Sequence, residues 1–207
     1  MPTLLSAPKS SMLDSYRQPM PPEAINALPL TRYEGPVHVF PDAGDLNAAI
    51  DDLITEPVIG FDTERRPTFR KGQNFPLSLL QLATANAVYL FQLCRMTLPG
   101  VLESLMSDPA TVKTGVAVHD DVRELREVIL FDAAGFVDLG QVARVHNLPT
   151  CGLRNLAANF LGIRISKKER CSNWGRESLT PQQIAYAATD AWASREIHLR
   201  MQAAKLL

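Results

Sequence analysis

At 207 residues the chain has room for one ordinary α/β domain with its own core, and 46% hydrophobic against 21% charged residues excludes a disordered, collagen-like or coiled-coil chain. Lys and Arg number 21 against 22 Asp and Glu, so the formal charge of −1 supplies no global positive field, and any polyanion must be gripped by a local patch. Residues 1–36 hold Pro2, Pro8, Pro19, Pro21, Pro22, Pro29 and Pro36. They read as a proline-rich N-terminal extension, too broken for a long helix or a central strand, lying on the domain or partly disordered. The domain proper, 37–207, opens with a strand at Val37–Phe40, a helix from Asp45 to Ile54 and a strand from Val58 through Glu64. Apolar strands from Leu77 and from Ala87 are separated by Ala85 and Asn86, a short hairpin connection. A helix near Pro99–Met106, a strand near Val112–Val118, a helix from about Asp121 to Leu130 and a short strand at Phe136–Val137 follow. Three helices beginning near Leu139, Gly152 and Thr180 complete the chain. The last start is well marked, with Thr180 as N-cap, Pro181 at the first helical position and Gln183 where a capping box wants it. Hairpin strands first and α/β units later give an α/β fold with a mixed central sheet flanked by helices.

Cys94, Cys151 and Cys171 stand far apart with no CxxC pair, which argues against a structural zinc site and a disulfide framework and fits a reducing cytoplasm. No apolar run approaches the ~20 residues that span a bilayer, and the N-terminus lacks the pattern of a signal peptide. The expected location is therefore cytoplasmic, with no membrane contact. His38, His119, His146 and His198 share no ligand spacing.

Three segments carry chemistry. In Val58-Ile59-Gly60-Phe61-Asp62-Thr63-Glu64 the period of two puts Asp62 and Glu64 on one face of a strand, side chains about 7 Å apart. An isolated D-x-E more often marks a strand end with solvated acids, but an apolar strand ending in acids is also where open α/β sheets place ligands. In the last helix, Tyr186, Asp190, Ala193, Ile197 and Met201 fall on one stripe, so an aspartate sits on a face expected to be buried. A hydrogen bond from Tyr186, one turn earlier, would satisfy that acid structurally. Between Gly115 and Leu125 a strand runs into a helix, where Asp121 lies near the inner edge and Asp120 faces solvent. Asp121 with Glu124 also has the spacing of a capping box, a purely structural role compatible with facing a cleft. Asp62, Glu64, Asp121 and Asp190, if gathered, could not all ionise at neutral pH without hard cations among them.

GFDTE, the spacing of Gly115, Asp121 and Leu125, and the run from Tyr186 to Asp190 resemble the three motifs of the DEDDy 3′-5′ exonucleases. The chain is most similar to the ribonuclease D and Werner-syndrome exonuclease-domain group, a likeness that includes LLQLAT near Leu80, VYLF near Val88 and Arg170 to Trp174. The resemblance implies a ribonuclease-H-like (DnaQ-like) fold and hydrolysis of phosphodiester bonds from the 3′ end of nucleic acid, releasing nucleoside 5′-monophosphates by a two-metal-ion mechanism with Mg²⁺ or Mn²⁺. It implies that Asp62, Glu64 and Asp190 hold the ion that activates water, that Asp62 also binds the second, and that Asp121 supports the second mainly through water. Tyr186 would position the attacking water. Ala185, five positions before Asp190, excludes the histidine version of the site.

Two features depart from the pattern: relatives often carry an aromatic residue where this chain has Arg65, and ribonuclease D has further helical nucleic-acid-binding domains, which, like a helicase, are not expected within these 207 residues. Candidate contacts to a single-stranded 3′ end, DNA or RNA, are Arg65, Arg66, Arg70 and Lys71 after the first motif and Lys167, Lys168 and Arg170 before the last helix. Phe69 and Trp174 are available for base stacking. Solvated loop charge, and packing for the tryptophan, are the plain alternatives. Two rival functions are a non-catalytic nucleic-acid-binding scaffold and a haloacid-dehalogenase-like phosphatase with Asp62 as covalent nucleophile. The latter scheme wants an aspartate where Glu64 stands.

Overall fold

The most apolar stretches of the chain become the central strands of a sheet: β2 (Val58–Arg65) and β3 (Leu77–Ala83), the latter buried at every position. The computed structural model describes residues 16–207 apart from 43, 45, 69 and 71, so Phe69 and Lys71 lie outside the described residues. Six strands run in the order β1 (Val37–Phe40), β4 (Val88–Phe91), β3, β2, β5 (Val112–Gly115) and β6 (Phe136–Asp138). The β2–β3–β4 neighbours are antiparallel and the outer pairings parallel, giving the expected mixed sheet. The β3–β4 turn is closed by Thr84, whose Oγ1 accepts from the amides of Asn86 and Ala87 at 3.1 Å.

Seven helices are described: α1 (Pro22–Ala27), α2 (Asn47–Thr55), α3 (Gly100–Ser107), α4 (Val118–Leu125), α5 (Leu139–Val145), α6 (Leu153–Leu161) and α7 (Pro181–Ala203). One face of the sheet, through Phe61, Leu80, Leu82 and Phe91, packs on Leu53 of α2, Leu102 and Met106 of α3 and Leu125 of α4. The other face packs on α7, where Leu79, Ala83 and Leu90 meet Ala187, Ala188 and Ala191. The small side chains of α7 let its backbone approach closely, and Gly60 completes the fit: a Cβ there would overlap the Ala191 carbonyl oxygen and lie 2.9 Å from its carbon. The capping box expected at Thr180 is present, with Thr180 Oγ1 accepting from Gln183 N at 3.1 Å and Gln183 Oε1 accepting from Thr180 N at 3.0 Å.

One junction differs from its expectation. The strand expected to reach Val118 ends at Gly115, and the helix begins at Val118 and ends at Leu125 instead of spanning Asp121 to Leu130. Ala117 takes the left-handed conformation (φ 62°, ψ 30°) and reverses the chain between them. Asp121 is therefore the fourth residue of α4, not its cap, and the capping-box reading of Asp121 with Glu124 fails; Glu124 instead accepts from Arg65 at 3.0 Å.

Residues 16–36 lie against α6 and α7. Tyr16 stacks on Phe160 at 4.3 Å, Ile25 is buried, and Leu30 bridges to Arg164 with amide bonds of 2.9 Å on either side. The Tyr33 amide then donates to Thr189 Oγ1 of α7 at 3.0 Å. No helix among the described residues is long and apolar enough to cross a membrane.

Candidate active site

Strand alternation turns Gly60, Asp62 and Glu64 toward α7, and the close approach at Gly60 brings Asp190 down to them. The donor oxygens of Asp62, Glu64 and Asp190 all lie within 4.8 Å of one another. Asp190 is buried, while Asp62 and Glu64 are half-buried at the rim of a cleft of about 390 Å³. Asp121 stands outside this triad, on the side of β2 facing α4, where its Oδ1 accepts from Thr63 Oγ1 at 2.6 Å. Asp120 is exposed and pairs with Arg123 at 2.8 Å. The inward acid of the adjacent pair is thus Asp121. Thr63, the middle residue of the D-x-E, is the partner that sequence reasoning missed. Its signal was its place on the opposite face of the same strand.

Burial, followed by the charges of Asp190 and Asp121, pushes Asp62 well above the usual carboxylate range and Glu64 up to about 9. Burial raises Asp190 to about 7, against the lowering effects of the Tyr186 hydroxyl and the Lys167 charge. It raises Asp121 to about 6, against the Thr63 hydrogen bond. Tyr186, buried and facing these acids, is held protonated. Four carboxylates that repel one another in a half-dry site, offering only hard oxygen donors, suit divalent cations of the Mg²⁺ and Mn²⁺ type.

The remaining candidates fall at different distances from this cluster. Lys167 and Arg170 line the acidic cleft, and the Arg170 charge works against the rise at Glu64. Lys168 lines an adjoining cleft of about 980 Å³ that shares Tyr186 and Asp190 and is walled by residues 30–35. Arg65 is engaged with Glu124, the Arg66 guanidinium sits 4.5 Å over the Phe75 ring, and Arg70 is exposed. Trp174 is a correction: it is wholly buried under α7 with its ring 5.9 Å from that of Tyr186, so it backs the tyrosine and presents no face to a base. Arg154 and Asn155, at the start of α6, line the cleft and were not singled out from sequence. Arg154 Nη2 donates to Asn26 Oδ1 of the N-terminal segment at 2.7 Å, a pairing 128 residues apart that no local pattern announces.

A family model described as 3′-5′ exonuclease matches residues 37–204. The mouse (Mus musculus) protein named bifunctional 3′-5′ exonuclease/ATP-dependent helicase WRN is 29% identical over 184 residues, covering 84% of this chain and 13% of that relative's length. Among solved structures, the Aedes aegypti Nibbler EXO domain has a TM-score of 0.74 at 24% identity, covering 86% of this chain and 92% of that one. Escherichia coli RNase D has a TM-score of 0.71 at 22% identity, covering 83% and 46%. At these identities the two structures speak for the fold, which is the ribonuclease-H-like fold of such domains.

Proposed function

Because the chain belongs to the 3′-5′ exonuclease family, we propose that it removes nucleotides from a free 3′ end of single-stranded nucleic acid, releasing nucleoside 5′-monophosphates. The observation that carries this reading is the carboxylate triad of Asp62, Glu64 and Asp190, with donor oxygens within 4.8 Å and proton affinities raised by burial in all three and by neighbouring carboxylates at Asp62 and Glu64. On this reading Asp62, Glu64 and Asp190 would hold one Mg²⁺ or Mn²⁺ ion, Asp62 would also serve a second, and Asp121 would support the second. Bound ions lower the pKa of water and neutralise charge on the attacking and leaving oxygens.

The chain's own groups do the rest. Tyr186, kept protonated by burial and backed by Trp174, orients the attacking water through its hydroxyl. Lys167, Arg170 and Arg154 line the same cleft and hold the phosphates of the strand, as point charges and as planar forks. Thr63 keeps the Asp121 carboxylate turned toward β2. The phosphatase alternative has no acid aspartate two positions after Asp62, where Glu64 stands.

A 5′-labelled oligomer should give a descending ladder with Mg²⁺ or Mn²⁺ and none with excess EDTA, and matched DNA and RNA strands will rank the two sugars. Binding without any cleavage would establish the scaffold alternative. Cutting of a circular strand as fast as a linear one would remove the 3′-end reading.

A further inference from the structure

Beside the carboxylates, the α7-facing side of the sheet holds, among the described residues, a polar side chain that neither the fold nor the proposed mechanism uses. Gln81 of β3 stands directly opposite Asp62 of β2 in antiparallel register, and opposite Leu90 of β4 on its other side. It is 0% exposed, and neither Nε2 nor Oε1 has a hydrogen-bond partner. Its neighbours along the strand face, Leu79 and Ala83, pack on the alanines of α7, so apart from Asp62 the amide is flanked by apolar side chains. An apolar residue of similar volume would suit that layer better, because a desolvated amide without partners weakens the fold. Directly opposed residues in an antiparallel pair have Cβ atoms about 4.5–5.5 Å apart, which puts the Gln81 amide within reach of the Asp62 carboxylate.

We propose that Gln81 is a positioning residue of the metal site, its side-chain N–H donating to the Asp62 carboxylate when that carboxylate is ionised and cation-bound. The orphaned amide is then the cost of a donor kept ready beside the one acid shared between both ions. Partners of this kind orient a ligating carboxylate without touching the reacting atoms, and losing one typically costs about 10–100-fold in metal affinity. The inference rests on the metal-binding reading of the carboxylates.

Gln81→Met and Gln81→Leu test it in the whole chain, with Mn²⁺ alone as the probe. Free Mn²⁺ is followed by electron paramagnetic resonance without nucleic acid, and melting is followed in EDTA. The expected result is Mn²⁺ binding weakened by roughly 10–100-fold, with melting in EDTA unchanged or raised. In an Asp62→Asn background, Gln81→Met should weaken Mn²⁺ binding no further. Wild-type Mn²⁺ affinity in both variants would overturn the proposal. So would a lowered melt in EDTA or a failure to fold, because the amide would then serve the metal-free fold. If the unaltered protein bound no Mn²⁺, the metal reading itself would fall, an outcome distinct from a Gln81 variant that matches a metal-binding wild type.

Discussion

Gly60→Ala tests whether the close approach of α7 is what assembles the site. The added methyl would overlap the Ala191 carbonyl oxygen and stand 2.9 Å from its carbon and 3.0 Å from Arg195 Cβ. Ordinary carbon contacts lie at about 3.5–4.0 Å, so α7 must retreat from β2 by roughly 1 Å, with no flexible side-chain end to absorb the shift. Asp190 is one residue before Ala191 and moves with it, while Asp62 and Glu64 stay on the strand. Overpacking of this kind costs about 1–3 kcal/mol, which for a chain of this size lowers the melting temperature by roughly 2–12 °C. A misplacement of about 1 Å at a reacting centre costs on the order of 100-fold in rate. The assay is kcat on a 5′-labelled single strand at saturating metal, beside a thermal melt. Gly100→Ala, where nothing lies within 4 Å of the new methyl, serves as control and should leave the rate unchanged and the melt unchanged or slightly raised. Wild-type rate in a Gly60→Ala protein, whatever its melt, would refute the claim that the approach at Gly60 sets the carboxylate geometry.

Asp121→Asn should lose roughly 10–100-fold in activity with a melt unchanged or raised, since the amide oxygen still accepts from Thr63 and no buried charge remains. Asp120→Asn removes only an exposed pair with Arg123, and its rate should match wild type. Tyr186→Phe keeps the packing on Trp174 and should lose about 10² to 10⁴-fold in rate, so a wild-type rate would make it a core residue only. In EDTA, stability should fall as pH rises from 6.5 to 8. Glu64 and Asp190, at about 9 and about 7 when folded against 4.5 and 3.8, bind more protons folded than unfolded across that window. His198, pushed down from 6.5 by burial, and Lys113, pushed down to about 8, exert opposite slopes that centre below 6.5 and above 8 and only blunt the fall at the edges of that window. Melting curves at successive pH values check this, and the slope should shrink in Asp190→Asn and on addition of Mn²⁺.

Local rules made much of this protein legible before any coordinates. The period of two puts Asp62 and Glu64 on one face, the period of 3.6 buries Asp190 one turn from Tyr186, and Thr180, Pro181 and Gln183 mark a helix start that the structure reproduces. The inward placement of Asp121 and the outward one of Asp120 hold as expected, although the helix begins three residues earlier than expected, because residues three apart share a helix face and a shifted start does not rotate it. That start was hidden because the chain turns at Ala117 in a left-handed conformation, and alanine carries no signal for one. What required the assembled molecule is whatever depends on distant partners. Trp174 becomes a wall behind Tyr186 because the sheet and α7 close over it, and Arg65 is taken up by Glu124. Thr63 finds Asp121 58 residues away, and Arg154 is tied to Asn26. Gln81 looks like any polar position in an apolar strand until register sets it against Asp62 with no partner of its own. Periodicity reports which way a side chain faces; only the packing of strand against strand and helix against sheet reports what it meets there.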